Sequence, residues 1–560
     1  MTARHLVVGL DGADLTLVRE LGPERLPTLH ALMARGAYAH QRSVLPPATL
    51  PNWTTFLTGV DPAVHGVFDF TTRRGYRVRF TAGTVRAAPT VISRLDRLGL
   101  ACACIGFPAT YPPDRLEHGV FISGWDAPVA FEADRSFVWP PALHDAIVER
   151  FGPYRFDDVD EFDADSPGWH ARLPEALVRR VERKAELAGW LLDGRPWDLF
   201  ACYFGESDTA AHHLMSLHDP ASPRRPRGAP QATESGLARV YAALDAAVAE
   251  LVSRAGGEGV EVTLVSDHGS GGSSDKVLYL NHALAEAGLL RFARGGGSGA
   301  AVGALKQAAL TRLPPRLREA VFRWGGTALP SFLESRARFG AIDMGRTAAF
   351  SDELNYFPSV HLNLRDREPK GTVRRTDADR VVREVREALL ALRDPWSGAP
   401  VVAAVHRREE LFEGPLLERA PDLLLQLHLD GGYSYNLMPS GGARPTHGPF
   451  RRLSAGEYLG RKGRSLPGSH RERGLFVAAG PGVAACGELD THIADGTATL
   501  LARMGLAVPP ELAGRVLWEA LATTGGEEVR ALPEAPSRPQ PQGADEARIE
   551  SRLRALGYIE

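Results

Sequence analysis

The chain has 560 residues, 44% hydrophobic and 24% charged, the make-up of a soluble globular protein with room for a large core. At ~150 residues per domain that length allows three or four domains, yet large α/β enzymes reach it as one core with insertions. A net charge of −3 gives no sign of a nucleic-acid or membrane partner, and four cysteines are too few for a disulfide framework.

The N-terminus, MTARHLVVGLDGAD, has no secretory apolar region, because its short apolar run ends in Asp11. No window offers ~18 uninterrupted apolar residues, so no membrane-spanning helix is expected and a reducing cytoplasm is the expected setting. His5 to Leu10 reads as a buried strand, and LPTLHALMARGAY as a helix with Pro27 at its start and Gly36 at its end. The stretch PPATLPNWTTFLTGVDPAVHG, residues 46–66, is dense in hydroxyls, with a short helix expected from about Asn52 and His65 capping the turn after it.

Residues ~68–175 have weak periodicity and read as an insertion, although 101–106 within them is a strand whose Cys102 and Cys104 share one face as buried thiols. Further strands fall at 198–204, 260–266, 422–427 and 474–479. Between them, Pro223-Arg224-Arg225-Pro226-Arg227 reads as a solvated loop, and Leu237 to Val252 has helical spacing that should feed the strand ending at Ser266. A second insertion spans about 286–345. Residues 531–543 form a proline-rich linker, 544–560 a short amphipathic helix, and there is no internal repeat. Strands alternating with helices predict an α/β fold: a mainly parallel sheet sandwiched between helices, with residues 1–530 as one catalytic domain bearing inserted lid or cap segments.

In such sheets ligands bind beyond the carboxyl ends of the strands. Here the first strand runs into Asp11-Gly12, the strand at 198–204 into Gly205-Glu206-Ser207-Asp208 with His212 four residues on, and the strand at 260–266 into Asp267-His268-Gly269. Gly468-Ser469-His470 precedes the strand at 474–479. Taken singly, such an Asp is usually a cap and such a His a surface residue. Together they offer mixed carboxylate and imidazole ligands, which suit Zn²⁺ or Mn²⁺ better than Ca²⁺.

The motifs VVGLDG, ATLPNWTTFLTGVDPAVHGV, GESDTAAHH, VSDHG and GSHRERGLFVAAGPGV, with the closing THIADGTATLLARMGLAVPPELAGRVL, resemble the alkaline phosphatase superfamily in its type I phosphodiesterase/nucleotide pyrophosphatase branch. The resemblance implies two divalent metal ions, with zinc ahead of manganese. Asp11, Thr49, Asp267 and His268 match the ligands of one, and Asp208, His212 and His470 those of the other. Ser207 and Ala211 stand where the family often has proline and glycine, and neither change removes a ligand. His447, in the polar turn RPTHGPF, competes with His470 for the third histidine position.

The resemblance further implies that Thr49 is the nucleophile of a phospho-threonine intermediate and that Asn52 donates its amide N–H to a phosphoryl oxygen; turn formation is the other reading of Asn52. Metal coordination and a helix N-terminus both favour the alkoxide of Thr49. The nucleophile turn has no Cys- or Ser-x-Pro-x-Arg sulfatase motif and no phosphosugar domain is evident. The expected function is metal-dependent hydrolysis of a phosphodiester or nucleotide pyrophosphate bond in a small-molecule phosphate ester or nucleotide. Monoester hydrolysis is the alternative, and a non-catalytic binding protein on the same fold a more distant one. Trp53, Phe68, Phe70, Trp125, Tyr356 and Phe357 are candidates for stacking on a nucleobase.

Overall fold

A computed structural model describes residues 4–80, 85–124, 135–152, 164, 166–228, 236–293, 338–354, 356, 358–441, 443–460, 465–522 and 531–532. Trp125, Phe357, residues 294–337 of the second expected insertion, the linker from 533 onward and the 544–560 helix lie outside the described residues.

Runs of consecutive apolar residues make the centre of the molecule. His5–Leu10 and Leu199–Phe204 are buried at every position, as strands covered on both faces must be. They belong to a nine-stranded sheet whose order is Gly487–Leu489, Ala37–Arg42, Arg473–Ala479, Glu261–Val265, His5–Leu10, Leu199–Phe204, Cys102–Ile105, Val120–Ile122 and Val138–Trp139. The middle of this order is parallel, while Arg473–Ala479 runs antiparallel to both neighbours. Helices flank the sheet. Gly236–Ala255 packs on Trp169–Gly194 and Glu206–His218, and Ile493–Arg503 packs on Thr49–Thr58. Among the described residues, no helix is long and apolar enough to cross a membrane.

Three expectations need correction. The 68–175 region does not simply overlie the sheet, since it supplies the strands Cys102–Ile105, Val120–Ile122 and Val138–Trp139 of one sheet edge. The 422–427 run belongs to a different sheet: Leu423–Leu427 pairs antiparallel with Ser359–Leu362 and Val402–Arg407, around a separate core that includes Leu362, Val385 and Leu425. An apolar run says that a strand is buried, not which sheet buries it. Finally, Arg224 in the expected solvated loop is fully buried. Its guanidinium donates to the carbonyls of Tyr458 at 2.9 Å and Leu466 at 2.6 Å, groups that lack strand partners of their own. Arg225 donates to Leu217 O at the end of the Glu206–His218 helix, and only Arg227 of the three is exposed.

Candidate active site and metal centre

The sheet register gathers the site. Leu10 lies opposite Phe204 and Gly9 opposite Val265, so the loops after the three central parallel strands leave the sheet side by side. Gly12 turns the first loop with a φ of 63° and donates its N–H to Asp267 Oδ1 at 3.1 Å. Asp11 Oδ2 accepts from Trp53 Nε1 at 2.9 Å and from the Tyr203 hydroxyl at 2.5 Å, which fixes the carboxylate. Ser207 holds the neighbouring turn by donating its hydroxyl to Asp11 O at 2.6 Å.

Asp208 stands in the first turn of Glu206–His218, where an anion is favoured, and His212 lies one turn later with Nε2 3.2 Å from Asp208 Oδ1. His470 comes from a separate strand. Gly468–Arg471 pairs antiparallel with Gly269–Leu278, setting His470 opposite Ser270 and its ring against that of His268, with centroids 3.6 Å apart. His470 Nε2 lies 3.6 Å from Asp208 Oδ1 and 3.1 Å from His212 Nε2. His268 Nε2 lies 3.5 Å from Asp11 Oδ1, 3.3 Å from Asp267 Oδ2 and 3.4 Å from Thr49 Oγ1. His447 is outside this cluster: it is exposed and packs on Trp396.

The other ring nitrogens decide what the cluster can do. Nδ1 of His212, His268 and His470 faces the carbonyls of Gly468, Gly269 and Pro47, at 3.1, 3.0 and 2.7 Å. A carbonyl only accepts, so each Nδ1 carries the proton and each Nε2 presents a lone pair inward. Two such lone pairs 3.1 Å apart repel unless a cation lies between them, and this back-side bonding is how metal-ligating histidines are held. Among the described residues, Asp11 Oδ1, Asp208 Oδ1 and Asp267 Oδ2 are buried without a hydrogen-bond partner, each within 3.5 Å of an Nε2 of His268 or His212. The donor set therefore fits divalent cations. Ligand atoms of Asp208, His212 and His470 fall within 4.8 Å of one another, as do those of Asp11, Asp208 and His268, so Asp208 reaches both groups.

The electrostatics of the cluster suit a cation. Burial, with the nearby Asp208 carboxylate, pushes Asp11 up to about 7 and Asp267 well above the carboxylate range, where Asp11 also contributes. Burial opposes the charge of Asp208 too, but the imidazoles of His212, His470 and His268 overturn it and hold Asp208 low. Burial also lowers His268 to about 4, keeping that imidazole neutral and able to ligate.

Thr49 is the first residue of its helix, Thr49–Thr58, and not three residues ahead of it as expected. Ala48 is the N-cap and Pro51 sits in the first turn, where a missing N–H costs nothing. The other hydroxyls are used locally. Thr54 and Thr58 donate to carbonyls four residues back, and Thr55 pairs with His65 at 3.0 Å. Asn52 spends its amide on the backbone before Thr49: Oδ1 accepts from Val44 N–H at 2.7 Å, while Nδ2 donates to Ala48 O at 2.8 Å and Pro46 O at 3.3 Å. Both ends of the side chain thus brace the turn before Thr49, as the turn-forming reading of Asn52 expects.

The aromatic candidates also divide. Trp53 is fully buried, edge-on to Phe107 and Tyr203, and its N–H serves Asp11. Phe68 packs on Phe412 in a core cluster, and Phe70 is half-buried. Of the candidates among the described residues, Tyr356 lies over the metal-ligand cluster, stacked on His470 at 4.1 Å with its hydroxyl 3.3 Å from His212 Nδ1. The Asp11 supports Trp53 and Tyr203 were missed as such. Their only sequence signal was position, Trp53 one helical turn after Thr49 and Tyr203 within a strand ending next to the first.

Comparison with known proteins follows the geometry. The family description "type I phosphodiesterase / nucleotide pyrophosphatase" matches residues 5–450. No curated protein sequence matches. Among solved structures, an inactive threonine-to-alanine variant of murine ectonucleotide pyrophosphatase/phosphodiesterase 5 in complex with AMP is similar at TM-score 0.50 and 14% identity, over 93% of this chain and 100% of that one. Another structure of the murine protein gives 0.48 at 14% identity, and the human protein 0.46 at 13%, both with the same coverages. With its family match spanning most of the sequence, its mainly parallel α/β sheet and its strand-end cluster of Asp and His, the chain belongs to the type I phosphodiesterase/nucleotide pyrophosphatase family.

Proposed function

We propose that this protein hydrolyses phosphodiester or nucleotide pyrophosphate bonds with Thr49 as nucleophile, at a site holding two divalent metal ions. One observation carries the reading: three inward imidazole lone pairs and three carboxylate oxygens without a hydrogen-bond partner among the described residues gather in one cluster, with Thr49 Oγ1 at a helix N-terminus 3.4 Å from its His268 Nε2. Asp11, Thr49, Asp267 and His268 would hold one ion and Asp208, His212 and His470 the other, with Asp208 within reach of both. Zinc suits this mixture of ligands best and manganese next. When bound, such ions supply Lewis-acid stabilisation of the phosphoryl oxygens and lower the pKa of a coordinated hydroxyl.

The residues themselves do the positioning. The Thr49 oxygen bonds phosphorus as the opposite ester oxygen leaves with its electron pair and takes up a proton in place of the one the hydroxyl gives up; water then bonds phosphorus, the Thr49 Oγ1–P bond breaks, and a proton from that water returns to Thr49. The Thr49–Thr58 helix directs its N-terminal partial charge at the reacting oxygens. Asn52 holds the 44–48 turn and acts through Thr49's placement, not by touching substrate. The AMP complex and the inactive threonine-to-alanine variant of the murine protein support a threonine-dependent phosphoryl site.

The test is Thr49→Ala, assayed on methyl p-nitrophenyl phosphate with protein loaded with Zn²⁺ or Mn²⁺. Turnover should fall at least about 10³-fold while the protein still binds two ions per chain, less any loss from the missing ligand. Full activity in this variant, or after exhaustive chelation, would overturn the assignment.

A further inference from the structure

A cleft of about 750 Å³ opens from the metal-ligand cluster, bordered there by Pro47, His470 and Tyr356. That volume takes an organic group far larger than a phosphate. Its walls come from two units of the fold: the turn before Thr49 on one side, and the Leu423–Leu427 strand with the loop after it on the other. Leu45, Pro46, Pro358, Leu424 and Leu429 make this facing surface largely aliphatic. Leu429 is 48% exposed, one of three large hydrophobic residues so exposed among the described residues, and it projects at this cleft and not into a core.

The charges of the lining are already satisfied from within. No lysine lines the cleft among the described residues. Arg471 directs one amino group to Gly272 O at 2.9 Å and Gly432 O at 3.0 Å, and the other to Ser434 Oγ and His470 O. Arg473 lies at the rim with its amino group 3.1 Å from His40 O and 3.9 Å from Asp490. Of the carboxylates, Asp219 accepts from the Tyr433 hydroxyl at 2.6 Å and Glu472 from Gln426 at 2.8 Å. A second phosphate next to the scissile one would meet apolar carbon, engaged guanidinium groups and the imidazoles of His40, His406 and His428, with no lysine among the described residues to replace its water.

We infer that the site takes phosphodiesters whose alcohol is uncharged and largely apolar, and discriminates against pyrophosphates. This rests on the phosphoryl-hydrolase reading and chooses between the two bond types that reading leaves open. The alcohol would lie along the Leu45–Pro46 and Leu424–Leu429 walls, with the scissile phosphorus at the metal-ligand cluster.

The metal-loaded protein is to be compared on methyl p-nitrophenyl phosphate, octyl p-nitrophenyl phosphate and dimethyl pyrophosphate, the last followed by phosphorus NMR. The leaving groups are of similar acidity, so ratios of kcat/KM report recognition. The octyl diester should exceed the methyl diester by about tenfold or more, and the pyrophosphate should fall below the methyl diester by a similar factor. Leu429→Lys, at a half-exposed position that tolerates a charge, should shrink the octyl-to-methyl ratio and raise the pyrophosphate-to-methyl ratio. Equal use of octyl and methyl esters, or a pyrophosphate used as well as the diester, overturns the inference and leaves the parent reading standing. No turnover of any of the three, or turnover that survives Thr49→Ala, overturns the parent reading and this inference with it.

Discussion

Arg224 offers a quantitative test of how the third histidine is held. Its buried guanidinium hydrogen-bonds no carboxylate among the described residues and is held by neutral oxygens: Nε to Tyr458 O at 2.9 Å, Nη1 to Leu466 O at 2.6 Å and Asn436 Oδ1 at 3.3 Å, and Nη2 to Glu457 O at 3.3 Å. Burial pulls its pKa down to about 10, so it stays charged at neutral pH. These bonds tie Glu457, Tyr458, Ser465 and Leu466 to the Ser222–Arg225 turn, just ahead of the strand that carries His470. Arg224→Lys keeps the charge and its desolvation cost but loses the fork, so two strong charge-assisted bonds at ~1.5–3 kcal/mol each are lost or halved, for a net cost of ~3 kcal/mol. Arg224→Met removes the buried charge as well as the bonds, and the relieved desolvation should make it the milder change. Thermal denaturation would show the first transition of the lysine variant lowered by roughly 3–6 °C and that of methionine by less. Limited proteolysis should open a new cut within 457–467 in both. A lysine variant that melts within about 1 °C of the parent, or a methionine variant that is the worse of the two, would refute the reasoning.

Three further outcomes follow from the same contacts. Glu353 is buried, and burial pushes it up to about 7 from an ordinary 4.5 despite N–H donation from Asn281 and Ser440. The folded protein thus holds a proton there that the unfolded chain releases, so this contribution is full below pH 4.5 and lost as pH rises through 7, an upper bound of ~3 kcal/mol for 2.5 units. Glu353→Gln should gain stability relative to the parent between pH 5 and pH 8, and a constant difference in melting temperature over that range would sink the claim. Tyr203→Phe deletes only the hydroxyl on Asp11 Oδ2 and should weaken metal affinity by about 10- to 100-fold in a competitive-chelator titration with little change in melting temperature; an unchanged affinity would remove Tyr203 from the site. Chelation should lower the melting temperature, and Zn²⁺ or Mn²⁺ should restore it in a concentration-dependent way, because a ligand that binds only the folded state stabilises it by mass action.

Much of the bond-breaking end of the molecule is legible in the sequence, and the reason is the register of one sheet. Each of HLVVGL, DLFACYF and VEVTLVS announces its strand by unbroken apolar residues, and the polar residue that ends each run falls at the same edge. What the sequence hides is the set of groups that use backbone partners. Asn52 looks like a free amide, but the carbonyl four residues before it is what it binds. The Pro- and Arg-rich stretch around Arg224 looks solvated because its partners are carbonyls more than two hundred residues away. The Leu423–Leu427 strand is visible, yet its assignment to the antiparallel sheet depends on pairing with Ser359–Leu362 and Val402–Arg407, which no apolar run specifies.

That division has a consequence for specificity. The metal-ligand cluster is assembled from loops fixed by the central sheet and by the Gly269–Leu278 ladder to Gly468–Arg471, so its geometry is set by hydrogen bonds that run the length of several strands. The cleft beside it borrows one wall from the antiparallel sheet, which has its own core and meets the central unit near the cluster through Tyr356 on His470. Substitutions on that wall can therefore change which alcohol is accommodated without touching a ligand. Pro47 is the one residue that both lines the cleft and holds the tautomer of a ligand histidine through its main chain. Because that contact is a backbone carbonyl, no side-chain substitution at Pro47 deletes it. Recognition of the alcohol can vary there while the imidazole keeps its orientation, provided the turn braced by Asn52 keeps its shape.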